Sequence, residues 1–435
     1  DSEKTNPDLS DILSYAQTNN VATAKKYVFE NLAKHKLDKV YSEIEEPIIP
    51  VVSEMQNYGI KIDKKYLEDL SKKYHKVLSG LEKEIYVLAT EEFNIKSPKQ
   101  LGHILFEVLK LPTAGVKKSA AGGYSTQIDI LEKLEEFHPI IKKIIEYREL
   151  QKLLSTYIDV IPDMVGSDGR LHAQFFQHGT TTGRFSSNNP NLQNIPIKSE
   201  LGKNIRGGFV ADKGHSFLSF DYSQMELRLA AIFSADETLT EIFQKGEDVH
   251  TAVAAHVFKV PMSEVTKEMR RHAKVINFGI LYGMGVNALK KNLGGTQKEA
   301  AQFYEDYFKQ FKRFKGYLDG TIEYAREHGY TETLFGRKRY FRNINSSIPF
   351  IKKMAERTAI NAPIQGTLAD VVKLAMRFID DRLRKEGLHE SVHLILQIHD
   401  ELIFEVKKEA MDVARKIIRE EMEGVFEKSF IHFKT

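Results

Sequence analysis

Two carboxylate-bearing turns, at Asp221 and at Asp400-Glu401, constrain this chain more than any other feature. The first closes Ser216 to Phe220, a short apolar run with alternating spacing that predicts a buried strand. Asp221 ends that run, and from Gln224 onward the composition favours helix. The second turn lies far down the chain. There Leu394 to Ile398 and Leu402 to Val406 are apolar runs separated only by His399-Asp400-Glu401, which predicts a tight hairpin with two carboxylates at its tip. A lone Asp after a strand is ordinarily a turn residue or a helix cap. Two such turns in one chain instead suit a pair of hard cations, and with them phosphoryl transfer.

A chain of 435 residues is too long for one ordinary core, so two to four subdomains are expected. At 42% hydrophobic and 28% charged residues it has the composition of a folded protein, not a disordered one. No apolar run approaches a membrane span, and no signal-peptide pattern opens the chain. With no cysteine, disulfides and thiolate metal sites are excluded. A net charge of +3 does not by itself indicate a nucleic-acid partner; the cations would have to be clustered.

Between the two turns, Arg270, Lys274, Phe278 and Tyr282 recur every four residues, so on a helix they share one broad face. Two cations at one end and two aromatics at the other describe either an amphipathic helix with a solvated end or a seat for a triphosphate leading to a base and sugar. Ser97-Pro98-Lys99-Gln100 reads as a helix start, with Ser as cap and Pro at the first position. Residues 181 to 196 and the stretch from Gly122 to Thr126 read as loops. Asn361-Ala362-Pro363-Ile364-Gln365-Gly366 precedes a helix reaching Lys385, with Asn361 a candidate cap. Two apparent motifs are set aside. His389-Glu390-Ser391-Val392-His393 has zinc-protease spacing, but Gly387 ends the preceding helix and Val392 opens a strand. Gly283-Met284-Gly285 mimics a dinucleotide loop, but the sequence from Met269 to Lys274 is continuous helix former.

Asp221-Tyr222-Ser223-Gln224-Met225-Glu226-Leu227-Arg228 and His399-Asp400-Glu401 resemble motifs A and C of the family A DNA polymerases. Arg270-Arg271-His272-Ala273-Lys274-Val275-Ile276-Asn277-Phe278-Gly279-Ile280-Leu281-Tyr282-Gly283 resembles that family's motif B. The likeness runs from about Glu46 to the C-terminal region and is nearest to the polymerase region of the bacterial members. It implies an α+β fold of right-hand architecture, with an antiparallel-sheet palm, helical fingers and a helical thumb. On that pattern residues 1–45 are a remnant of, or linker from, an upstream exonuclease-like region. Residues 46–164 then hold the start of the polymerase and the thumb, 165–236 and 348–435 the palm, and 237–347 the fingers. Where the family's exonuclease ends its last metal motif in Asp, this chain has Asn19 four residues after Tyr15, which implies no proofreading here.

The implied activity is template-directed DNA synthesis from dNTPs on primed DNA, using two Mg²⁺ ions that Mn²⁺ can replace. The implied setting is a monomer inside the cell with DNA, neither secreted nor in a membrane. Asp221, Asp400 and the backbone of Tyr222 match metal positions, with Glu401 a supporting carboxylate. Arg270, Lys274 and His250 match the triphosphate contacts, Lys274 also counting as catalytic; Phe278, Tyr282, Glu226 and Gln224 match the rest of the nucleotide pocket. Arg184, Gln193, Asn194, Arg357, Asn361, Gln365, His399 and Lys99 match primer and template contacts. A single-subunit RNA polymerase shares the carboxylate layout, but Glu226 crowds the side where a ribose hydroxyl would lie. A degenerate protein that only binds primed DNA is opposed by intact Asp221 and Asp400.

Overall fold

The computed structural model describes residues 8–118, 123–196 and 199–429, so Gly122 and the outermost residues of the first and last expected segments lie outside it. The chain divides into two compact units. One comprises Gln56–Gln174 and Ser187–Gly214; the other comprises Asp1–Met55, Phe175–Ser186 and His215–Thr435.

In the smaller unit, Asp63 caps a helix of 26 residues, Lys64–Ala89, by accepting from the Tyr66 N–H. Leu67, Leu70, Tyr74, Leu78, Leu81 and Ile85 recur at three- and four-residue steps on its buried face. That stripe packs on helix Ile140–Leu153, which presents Ile140, Ile144, Tyr147 and Leu150 and then widens into a π-type turn over Leu154–Ile158. The expected helix start at Ser97 is present: its hydroxyl accepts from the Gln100 N–H and Pro98 opens the helix. Gln100 reaches back to the Asn94 N–H and not to the cap itself.

In the larger unit, strand β1 (His215–Asp221) leads to helix α1 (Met225–Ser234). A mostly helical stretch follows and contains α2 (Val249–Phe258) and α3 (Lys267–Leu281), which pack together. The helix α4 (Pro349–Lys385) then precedes strands β2 (Val392–Ile398) and β3 (Glu401–Lys407). The three strands form one antiparallel sheet in the order β1-β3-β2. The β2–β3 hairpin pairs Ile398 with Glu401, leaving His399 and Asp400 as a two-residue turn. His399 takes the positive φ such a turn requires.

Two expectations are corrected. The run Ser216 to Phe220 is a strand, but not a buried one: β1 is an edge strand whose residues alternate between half-buried and exposed, with Phe217 37% exposed. The apolar core of the sheet belongs to the central β3, where Leu402, Phe404 and Val406 are fully covered. The second correction concerns Asn361 to Gly366, which does not precede a helix but lies inside one. α4 runs unbroken for 37 residues through Pro363 and Gly366. Every residue from Ala359 to Met376 except Gln365 is buried. Packing on all sides outweighs the local cost of Pro and Gly in a helix. Gly366 has its own reason, because a Cβ there would meet Thr333. The two set-aside motifs fold as expected: His389 lies in the turn after α4 with His393 on β2, and Val275 to Leu281 is helix.

Candidate active site

The sheet register brings the two carboxylate turns together. Asp221, the last residue of β1, stands opposite Glu401, the first of β3. The Tyr222 N–H donates to the Asp400 carbonyl at 3.4 Å, tying the strand end to the hairpin turn. Gln397 braces that turn by donating to the His399 carbonyl, and the Ser219 hydroxyl donates to the Glu401 carboxylate. The Tyr222 ring turns inward, its hydroxyl donating to the Met422 carbonyl at 2.8 Å. Partial withdrawal from water, followed by the charges of Asp400 and Glu401, pushes the Asp221 carboxyl up to about 6. Among the described residues no Lys or Arg pairs with any of the three. Three acids are therefore held together without a protein cation to balance them.

The face expected on motif B is present on α3. Arg270, Lys274 and Phe278 lie on the helix, and Tyr282 lies one residue past its end. Arg270 and Lys274 are exposed and Phe278 half-buried. Gly279 costs less than its helical position suggests, because the chain folds back there and a Cβ would strike the Met284 sulfur. Gly283, at positive φ, admits the stem of Arg357, and a Cβ would overlap it. Asn361 donates to the Leu281 carbonyl at 3.0 Å, so it terminates α3 and does not cap its own helix.

Glu226, in the first turn of α1, joins residues that sequence reasoning had assigned to separate jobs. Its carboxylate accepts from Arg184 at 3.1 Å and from the Tyr282 hydroxyl at 3.1 and 3.2 Å. Gln365, the one residue of the buried part of α4 that is only half-buried, lies near the Tyr282 hydroxyl. Burial and the Glu226 charge raise the Tyr282 hydroxyl above the usual range, so it stays a donor. The Arg184 Nε is buried and has no protein partner. Gln224 adopts a left-handed backbone at the start of α1 and makes no capping bond there.

His250 is almost fully buried, its Nδ1 3.2 Å from Asn277 Nδ2 and its ring 5.5 Å from that of Phe278. Burial holds it below the ordinary histidine range; Asp248 opposes this, while Arg270 and Lys274 add to it. Arg270 is held by Asp248 through two bonds of 2.8 and 3.0 Å. His399 is exposed in its turn, and Arg357 is exposed on the first part of α4. Gln193, Asn194 and Lys99 belong to the smaller unit, on a 3-10 turn and at the start of helix Pro98–His103. Sequence reasoning missed Asp248, Asn277, Ser219 and the Tyr222 side chain. Only Asp248 carried a local signal, an Asp at a helix start with Thr251 three residues on.

The family model described as DNA polymerase family A matches residues 64–432, most of the chain. The chain belongs to DNA polymerase family A. It is 43% identical over 411 residues to "DNA polymerase I, thermostable" of Thermus aquaticus, which covers 93% of this chain and 49% of that protein. It is 44% identical over 386 residues to "DNA polymerase I" of Caldicellulosiruptor bescii, covering 88% and 45%. A solved structure titled "POL domain of Pol1 from M. smegmatis complex with DNA primer-template and dNTP" superposes with a TM-score of 0.88 at 37% identity. That superposition covers 93% of this chain and 71% of the other. The fold is thus the α+β fold of that polymerase domain. The chain spans about half the length of the curated relatives it matches.

Proposed function

We propose that this chain is a DNA-directed DNA polymerase that adds dNTPs to the 3′ end of a primer annealed to a DNA template, without proofreading. The observation that carries the reading is the pairing of Asp221 with Glu401, with Asp400 tied alongside, at one end of the sheet. The relatives' names and the primer-template and dNTP in the Mycobacterium smegmatis complex support it.

The donor set suits magnesium. Among the described residues no group of three or more His, Asp or Glu side chains is arranged to hold a metal ion by itself. Mg²⁺ characteristically takes one or two carboxylates and completes its shell with water and substrate phosphate, so an open carboxylate cluster is the right kind of site. Asp221, Asp400 and the Tyr222 carbonyl would hold two such ions, which neutralise charge on the reacting oxygens and make the primer hydroxyl a better nucleophile. Glu401 keeps the local field negative and is itself held by Ser219.

The chain's remaining work is positioning. Arg270 and Lys274, one turn apart, present cations to the triphosphate, and buried His250 supplies a neutral imidazole beside them. Phe278 lies under the base or sugar, while Glu226 and Tyr282 close the sugar's 2′ side. Arg184, Gln365, Arg357 and His399 would face primer and template, while Asn361, buried on the Leu281 carbonyl, would act by holding the end of α3. Gln193, Asn194 and Lys99 are separate candidate contacts within the smaller unit. In this reading residues 46–164 hold the thumb, 237–347 are the fingers, and 165–236 with 348–435 make the palm. The test is primer extension with Mg²⁺, run side by side with dNTPs and rNTPs. Extension with dNTPs and little with rNTPs is expected; no extension, or equal use of both, overturns the reading.

A further inference from the structure

Asp248 is the cap of α2, and its carboxylate is fixed from two sides. The Thr251 N–H and hydroxyl donate to it at 2.9 and 2.5 Å. Arg270, reaching over from α3, donates through Nε at 2.8 Å and Nη2 at 3.0 Å, a side-on bidentate pair. The charge of Arg270 and these bonds outweigh burial and keep the Asp248 carboxyl down at about 2. Stability alone is a poor account of this arrangement. The side chains are 46% and 35% exposed, and ion pairs that open to water contribute little to folding.

The donors left over suggest its use. A guanidinium has five N–H groups, and Asp248 occupies only the edge carrying Nε and one hydrogen of Nη2. Both hydrogens of Nη1 and the second of Nη2 remain on the far edge, which is planar and shaped for a second bidentate oxyanion. Lys274 stands one turn along the same face and is exposed. We infer that Asp248 is a positioning residue for nucleotide binding: it locks the plane of Arg270 so that the free edge meets the terminal phosphate of the incoming triphosphate. Arg270 without Asp248 keeps its charge but loses its aim, and a long exposed side chain must then be ordered by the substrate itself. This inference rests on the assignment of Arg270 to the triphosphate.

Asp248→Asn and Asp248→Ser keep a side chain that caps a helix, so α2 is preserved. Asn loses the charge of the acceptor, and Ser loses its reach as well. With the full chain, Mg²⁺ and a primed template, both should raise the KM for dNTP by about tenfold or somewhat more, the low end of what one charge-assisted contact is worth. The kcat, primer-template Kd and Tm should stay near wild type. The preference for a deoxynucleoside triphosphate over the corresponding diphosphate as inhibitor should shrink with them, since the lost contact is to the last phosphate. Asp248→Ser combined with Arg270→Ala should be no worse than Arg270→Ala alone. An unchanged KM, a lowered KM (Asp248 merely competing with phosphate for Arg270), or a KM change matched by a fall in Tm overturns the inference. If Arg270→Ala itself leaves KM and the triphosphate preference intact, the assignment of Arg270 fails, and that outcome is read separately.

Discussion

Two clusters of ionised side chains in the larger unit are built on opposite principles. Away from the carboxylate turns, Glu45, Arg337, Asp370 and Lys373 form a closed set. Arg337 bridges Glu45 and Asp370, and Lys373 donates to Glu45 at 2.7 Å. Thr333 and Gln177 satisfy further oxygens of Asp370 and Glu45. Two acids face two bases, and Asp370 and Lys373 have no exposed side-chain surface at all. At the sheet end, Asp221, Asp400 and Glu401 are three acids that no Lys or Arg among the described residues pairs with, and they are open to solvent. The first cluster is complete in itself and joins distant parts of the chain. The second is incomplete, and its deficit of positive charge is what a phosphoryl-transfer site requires. The difference separates residues that hold the fold from residues proposed to bind the metal ions.

The strongest way to break the comparison is to neutralise one acid at the sheet end. Asp221→Asn or Asp400→Asn should lower primer extension at least about a thousandfold, on the order of 4 kcal/mol of barrier. Template affinity should stay within several-fold, since charge neutralisation serves the transition state more than duplex binding. Because each substitution relieves repulsion among like charges, Tm should hold or rise. Extension near the wild-type rate, measured in single turnover, would remove these carboxylates from the reaction.

The closed cluster should respond the other way. Lys373→Met strands Glu45 beside fewer cations in a covered site, and breaking a buried pair typically costs about 3–5 kcal/mol. The loss should appear in chemical or thermal unfolding, while the extension rate per folded molecule stays close to wild type. A variant with normal stability and lost activity would mean that this cluster belongs to the site after all.

The clusters were not equally legible in the sequence. Asp221 and Asp400-Glu401 were visible because each ends or interrupts an apolar run, and strand pairing needs only those runs to align. Arg270, Lys274, Phe278 and Tyr282 were visible because helical periodicity is local. Glu45 and Lys373 were not, since 328 positions separate them and nothing near either one signals the other. The burial of β1 was misjudged because an apolar run does not reveal whether its strand is central or at the edge. Asn361 was misread because local Pro and Gly signals cannot report that the middle of α4, from Ala359 to Met376, is enclosed.

A smaller effect comes from acid. Burial alone would raise the Glu45 carboxyl, but Arg337 and Lys373 outweigh it and hold the group at about 2. Its folded value therefore lies below its unfolded value, and the stability it supplies is complete above about pH 4.5 and fades as pH falls toward 2. From that shift the amount at neutral pH is on the order of 3 kcal/mol. Unfolding followed from pH 7 to pH 3 should show the gap between wild type and Glu45→Gln narrowing below pH 4.5. A gap that stays constant would place the stabilisation in packing and not in charge.

Glu226 lies between the two designs and gives the mildest test. It has one cationic partner, Arg184, and one neutral donor, Tyr282, so it is only half balanced. Its side chain is 13% exposed, so in the proposed nucleotide pocket it would be a wall as well as a charge. Removing that wall in Glu226→Ala opens space beside the sugar and releases the Tyr282 hydroxyl. A pocket that rejects an extra hydroxyl by overlap, and by leaving it unpaired, discriminates by roughly 1–3 kcal/mol. Ribonucleotide incorporation relative to dNTP should therefore rise by about tenfold, within that range. Glu226→Gln keeps the volume and can still accept from Tyr282, losing only the ion pair to Arg184, so it should retain most of the exclusion. Single-nucleotide extension with competing dNTP and rNTP separates the two substitutions. Equal relaxation in both would assign the selectivity to the charge and its hold on Arg184. Relaxation in neither would mean that Glu226 does not border the incoming sugar, and its bond to Tyr282 would then be structural.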